Sequence, residues 1–297
     1  MKRFLRHIAF FVLPLLILAV ALEFVVEAIP NSYTYKRDYM EQHGAQIQTL
    51  MLGSSNAYDG FNPSVLPNAF NLANSSQTLE DDYRLLAKCI DSMDSLQTVI
   101  IGLGYHSLGA TTEDNRRTYY TIYMDLYPRW PISKYSFEIC NLQLLLKKII
   151  KYTVSRDVTR CDSLGQRVGH TLAAAQSGAE WWNKDVLSLV ENDRMVVGKW
   201  SMVIVENTRY LKAIVDLCNA HNVQPIIVQM PVMEEYKRML PVEQVGLYED
   251  VLSSLDSTAI CIDASEWDIS EEGWYNATHL TKEASVAFTN KLYEEIK

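Results

Sequence analysis

The chain has 297 residues, of which 48% are hydrophobic, and a formal net charge of −9. That length holds one well-buried α/β domain with an addition and falls short of two full domains. The acidic balance excludes non-specific nucleic-acid binding as a function, because most of the surface repels phosphate.

The N-terminus carries Lys2, Arg3 and Arg6 before an apolar run over residues 8–22, and the apolar character continues past Glu23 and Glu27 to Ile29-Pro30. The basic flank, the short run and the small residues Ala19-Val20-Ala21 fit a cleaved signal peptide. The whole stretch to Ile29 fits an uncleaved anchor with both glutamates near the outer interface. A buried core helix is disfavoured, since the basic cluster sits where a topogenic signal puts it. The anchor is the expectation: residues 1–30 cross the cell membrane once, the N-terminus stays cytoplasmic, and residues 31–297 lie outside.

From Gln46 onward, short apolar strands at 49–52, 69–72, 98–103, 225–229 and 259–262 alternate with helical stretches at 79–93, 202–219, 242–255 and 282–296. This rhythm predicts an α/β fold, a three-layer parallel sheet with helices on both faces. Ala284, Phe288, Leu292 and Ile296 recur every four residues, with Thr281 as N-cap, so the last helix is expected to lay that stripe on the sheet.

The stretch of about 105–200 is too long for a simple crossover and is expected to be an insertion over the strand ends. Within it Leu142, Leu145, Leu146 and Ile149 form one helix face, and Lys147, Lys148 and Lys151 another. The lysines are expected in solvent; their sharper reading is a patch for anionic lipid or an acidic glycan. Tyr119, Tyr120, Tyr123, Tyr127, Trp130, Trp181 and Trp182 could stack on sugar rings, although packing is the commoner use of such residues. Five cysteines lack C-x-x-C spacing and read as small core residues; Cys140 and Cys161 are the one pair considered for a disulfide in an oxidising compartment.

Two segments carry chemistry. Met51-Leu52-Gly53-Ser54-Ser55-Asn56 follows a strand directly, where open α/β sheets build their sites. Its glycine permits a sharp turn, and a serine beyond it can present both hydroxyl and backbone N–H to a carbonyl; ordinary turn chemistry explains the same triplet. Trp274-Tyr275-Asn276-Ala277-Thr278-His279-Leu280-Thr281 precedes the last helix and places His279 in a loop, as the base that a serine nucleophile requires. His170 has no evident partner.

Gly53-Ser54-Ser55 after the first strand, together with His279 before the last helix, resembles the first and last blocks of the SGNH (GDSL-type) hydrolase superfamily. The chain looks closest to the membrane-anchored cell-envelope branch that includes the lipoteichoic-acid D-alanylation protein DltD and the alginate acetylation proteins. It is similar to them in Ile29-Pro30-Asn31-Ser32-Tyr33-Thr34-Tyr35-Lys36, in the Gly-Ser-Ser to Asn-Pro phrase over 53–63, and in the Asn-Leu-Ala-x-x-Ser-Gln phrase over 71–77. The resemblance implies a flavodoxin-like, SGNH-like sheet, Ser55 as nucleophile, His279 as base, and an oxyanion hole from Ser55, a backbone N–H near Ser76, and His106.

Three positions depart from the superfamily's pattern. Ser76 replaces the glycine of the second block, His106 replaces the asparagine of the third, and Asn276 stands where an aspartate would orient and charge-balance the histidine. Asparagine can still orient the ring, but the corresponding exchange in serine proteases costs about 10⁴ in turnover. Asp268, Glu271 and Glu272 could supply the missing charge, although solvation of their loop is their simpler use.

The expected function is an extracytoplasmic serine acyl-ester enzyme, esterase or O-acyltransferase, acting on a cell-envelope polysaccharide. The alternative is a catalytically silent SGNH-like module that binds glycan or partners a membrane acyltransferase. No G-x-G-x-x-G, P-loop or H-E-x-x-H is present, so neither cofactor nor metal is expected.

Overall fold

A computed structural model describes residues 2–112, 114–156, 159–172, 182–194, 197–255 and 257–297. In chain order the main elements are α1 (Lys2–Glu27), α2 (Ser32–His43), β1 (Thr49–Gly53), α3 (Ser55–Gly60), β2 (Ala69–Asn71), α4 (Leu79–Cys89), β3 (Thr98–Leu103), α5 (Asp114–Ile122), α6 (Leu142–Ser155), α7 (Trp182–Asp193), α8 (Val197–Ala220), β4 (Gln224–Gln229), α9 (Glu234–Met239), α10 (Val242–Ser253), β5 (Ile260–Asp263), β6 (Trp274–Asn276), β7 (His279–Leu280) and α11 (Lys282–Glu295). They fall into two compact units, residues 1–38 with 113–160, and residues 39–112 with 161–297. The stretch 105–200 therefore divides between them.

The larger unit holds a five-stranded sheet in the order β2-β1-β3-β4-β5. Every pairing is parallel. The chain steps one way from β1 to β2 and the other way through β3, β4 and β5. Right-handed crossovers then place α3 on one face and α4, α8 and α10 of the same unit on the other. All five residues of β1 are buried, as are all but the first of β3 and β4, which is why these segments read as unbroken apolar runs. Thr78 and Asp81 form a reciprocal capping box that starts α4. In α11 Thr281 accepts the Ala284 N–H as expected. The buried stripe of that helix is Ser285, Phe288, Thr289 and Leu292, whereas Ala284 and Ile296 at its ends are only half-buried.

The smaller unit is built on α1. Over Arg6–Glu27 this helix has a mean hydropathy of 2.7 and is long and apolar enough to cross a membrane. Asn31 explains the Pro-Asn phrase: its side-chain oxygen accepts the N–H groups of Tyr33 and Thr34 at 2.9 and 3.1 Å, capping α2. Glu23 accepts the N–H groups of Glu138 and Ile139 at 2.8 and 3.0 Å, so the last turn of the apolar helix is tied to the turn before α6.

The charge run of α6 is solvated only in part: Lys147 is exposed and Lys151 half-buried, but Lys148 turns inward. Lys148 is 7% exposed, paired with the buried Glu138 at 3.1 Å, and donates to the Val26 carbonyl at 2.9 Å and to the Tyr123 hydroxyl. A carboxylate as buried as Glu138 requires a cation, and that requirement turns Lys148 inward. Leu146, expected on the packed face, is 57% exposed instead. Tyr120, Tyr123 and Tyr127 are buried, and Tyr119 and Tyr120 pack on Tyr33 at ring separations of 5.2 and 5.1 Å. Their aromatic faces serve the core, which leaves Trp130 as the exposed member of the described group. Trp181 lies outside the described residues, as does the side chain of Trp182. None of the five cysteines, Cys140 and Cys161 included, is in a disulfide.

Candidate active site

In a sheet of order 2-1-3-4-5 the chain reverses direction between β1 and β3, and the carboxyl ends of those strands open a crevice. Gly53 ends β1 with φ +127°, a conformation that disfavours any side chain, and a Cβ there would lie 2.5 Å from the Gly102 carbonyl oxygen of β3. A Cβ on Gly102 would in turn meet that of Ala57 at 2.8 Å, so α3 lies directly on the two strands. Ser54 is extended and Ser55 opens the helix. N–H groups in a first helical turn have no intrahelical acceptor, which leaves that of Ser55 available to a ligand.

The β6–β7 hairpin brings His279 to the same strand ends. Asn276 Oδ1 accepts the backbone N–H groups of Thr278 and His279, each at 3.0 Å, and lies 2.8 Å from His279 Nδ1. Two backbone donors fix which end of the amide is oxygen, so the ring nitrogen facing it carries the hydrogen. The opposite nitrogen, Nε2, then has a free lone pair, and Ser55 Oγ lies 2.8 Å from it. Ser55, His279 and Asn276, expected together from sequence, are in contact as a chain of hydrogen bonds. The Asn56 amide donates to the Thr278 carbonyl at 2.6 Å and accepts from Ser54 Oγ at 3.3 Å, fastening the serine turn to the histidine hairpin.

Ser76 and His106 border the same strand ends. Asn74 donates to the Gly53 carbonyl at 3.2 Å and accepts from the Gln77 N–H at 3.2 Å, closing a turn whose third residue, Ser76, has φ +55°. Glycine is the usual residue at such a position, so Ser76 holds a backbone conformation that glycine adopts more readily. Gln77 also donates to Asp82 at 2.6 Å, and Asp82 accepts the Gly53 N–H at 3.0 Å. Burial pushes the Asp82 carboxyl up to about 7, with Asp81 adding to the rise and the bonds from Gln77 and Gly53 opposing it. The His106 ring folds over Gly104 at the end of β3, near enough for its charge to bear on His279.

Asp268, Glu271 and Glu272 are exposed. The anion nearest the base is Asp59, on the same helix as Ser55 and one turn on, which the sequence reading missed. It is 3% exposed as a residue, and its Oδ2 lies 3.9 Å from His279 Nε2 and 3.2 Å from both His170 Nδ1 and Arg167 Nη1. Among the described residues neither carboxylate oxygen finds a hydrogen-bond donor in good geometry. Arg167 and His170 come from a strap that crosses α3: the Leu164 carbonyl accepts from the Asn71 N–H at 2.9 Å, and Gln166 donates to the Asp59 carbonyl at 3.1 Å. His170 stacks on Tyr275 with centroids 3.7 Å apart. The i, i+4 spacing of Ser55 and Asp59 was the one available sequence signal for this anion.

Burial is the largest influence on His279 and lowers its pKa to about 4; Asp59 opposes that effect, while Arg167, His170 and His106 add to it. The imidazole is therefore neutral at neutral pH. The arrangement can draw the Ser55 proton onto Nε2 and hold the resulting imidazolium between the Asn276 oxygen and the Asp59 carboxylate.

No known family and no curated protein matches the chain. Solved structures do. One is a GDSL-like lipase from Bacteroides thetaiotaomicron VPI-5482, 9% identical with a TM-score of 0.42, covering 89% of this chain and 97% of its own. A second is a protein described as an acylhydrolase from Bacteroides fragilis NCTC 9343, 10% identical with a TM-score of 0.41, covering 87% of this chain and 93% of its own. A third is a protein described as a platelet activating factor from Streptococcus pneumonia, 11% identical with a TM-score of 0.40, covering 97% of this chain and 99% of its own.

Proposed function

We propose that this chain is an SGNH-type serine acyl-ester enzyme, an esterase or O-acyltransferase of the cell envelope, held to the membrane by α1 with its N-terminus cytoplasmic. The observation that carries the reading is the relay from Ser55 Oγ through His279 to Asn276, with both links at 2.8 Å. Ser55 attacks the acyl carbonyl as His279 Nε2 takes its proton. The N–H groups of Ser55 and Ser76, with the His106 ring, receive the oxyanion. Collapse of that intermediate expels the alcohol, which takes the proton back from His279 and leaves the acyl group on Ser55. Water or a glycan hydroxyl then gives its proton to His279 and accepts the acyl group, and Ser55 Oγ leaves and takes that proton back from His279. The cell-envelope resemblance favours a polysaccharide as acyl donor or acceptor.

Covalent labelling of the full chain in detergent by a fluorophosphonate tests the proposal. Wild type should label at Ser55, and Ser55→Ala and His279→Ala should not. A folded wild-type protein that fails to label would favour the second reading, a silent glycan-binding module or partner of a membrane acyltransferase. The neutral Asn276 supports that second reading.

A further inference from the structure

The side of the smaller unit that carries α6 presents apolar groups which no described residue covers. Leu146, Ile150 and Val154 recur every four residues along α6 and are 57%, 61% and 81% exposed. On a preceding loop Trp130 is 75% and Ile132 63% exposed. Exposed aliphatic residues at one helical spacing form a continuous stripe rather than scattered surface positions. Lys147 and Lys151 flank it, and α6 contains no acidic residue.

Both segments are locked to the same turn of α1. Lys148, in the middle of α6, donates to the Val26 carbonyl at 2.9 Å. Arg129, next to Trp130, pairs with Glu27 at 3.0 Å. The span Arg6–Glu27 has 22 residues, about 33 Å of helix at ~1.5 Å per residue, enough to cross the hydrocarbon core and end at its boundary. A span that ends at Glu27 puts Val26, and everything bonded to it, at the level of the headgroups. Tryptophan and lysine beside aliphatic residues are the composition that this layer favours.

We infer that α6 and the Trp130 loop form a second membrane contact, in which Leu146, Ile150, Val154, Trp130 and Ile132 enter the outer boundary of the bilayer while Lys147 and Lys151 meet anionic headgroups. The inference rests on the reading of α1 as a membrane anchor. It gives this unit two attachments, one spanning and one lying on the surface, so that it is held flat against the bilayer rather than swinging on a single helix.

The full chain in nanodiscs of phosphatidylcholine and phosphatidylglycerol, doped with a diazirine-bearing phospholipid, provides the test. After illumination and proteolysis, mass spectrometry should find lipid adducts on α1, on α6 and on the segment around Trp130. The double variant Ile150→Glu, Val154→Glu should lose the α6 adducts and keep those of α1; both positions are exposed, and the wild-type pattern is decisive without the variant. Adducts confined to α1 would overturn the inference and leave the anchor standing, with a protein partner as the occupant of the stripe. Adducts on neither would overturn the anchor as well.

Discussion

Asp59 Oδ2 lies 3.9 Å from His279 Nε2, on the side of the ring that faces Ser55, while the opposite side rests on an uncharged amide. In the proposed mechanism, orientation and charge balance, which one aspartate combines in a serine-protease triad, are divided between Asn276 and Asp59.

Asn276→Asp restores a carboxylate on Nδ1 and keeps an oxygen for the Thr278 and His279 N–H groups. It should raise kcat/KM for p-nitrophenyl acetate about tenfold or more, because the imidazolium formed in the transition state gains a full charge. Asn276→Ala frees the tautomer and should lower the same parameter by about 10² or more. Steady-state kinetics of the two variants checks the pair.

In the proposed mechanism the neutral form of His279 is the base, and its pKa is lowered to about 4. Activity should therefore hold as the pH falls through the ordinary histidine range and decline only near pH 4. Asp59 raises that pKa, so Asp59→Asn should move the acid limb lower still and reduce the rate about tenfold. A merely structural Asp59 would leave the limb in place. The pH dependence of kcat/KM for wild type and variant separates these outcomes.

Gly53→Ala places a Cβ against the Gly102 carbonyl in a backbone region alanine disfavours. The cost should be about 2–4 kcal/mol, and the shift of β1 against β3 should carry Ser55 away from His279. Urea denaturation measures the first effect, and loss of fluorophosphonate labelling in the folded variant the second.

Lys148→Met leaves Glu138 buried without its cation and should destabilise the smaller unit by about 3–5 kcal/mol. Lys148→Met with Glu138→Gln removes both charges and should recover much of that loss. Denaturation midpoints of the single and double variants, with limited proteolysis of the 129–156 segment, report the difference.

The strands of the sheet were legible because β1, β3 and β4 are buried on both faces and therefore appear as uninterrupted apolar runs, whereas their order in the sheet was not. The serine and histidine were legible for a related reason: both lie at strand or helix boundaries, where punctuation residues mark the chain. Asp59 was not, since its i, i+4 spacing from Ser55 is a common helical pattern, and its meaning comes from a hairpin far along the chain. Arg167 and His170 were hidden in the same way, in a strap whose path over α3 is set by backbone bonds to Asn71 and by the Gln166 amide. Lys148 misled because periodicity reports which residues share a face and says nothing of a buried acid waiting on the neighbouring element.

His170 stacks on Tyr275 and also abuts Asp59, the carboxylate 3.9 Å from His279 Nε2. Any movement of that strap alters the field felt by the His279 ring. In the proposed mechanism proton transfer is thereby geared to a segment that belongs to neither the serine helix nor the histidine hairpin, so a ligand that displaces His170 would also detune His279.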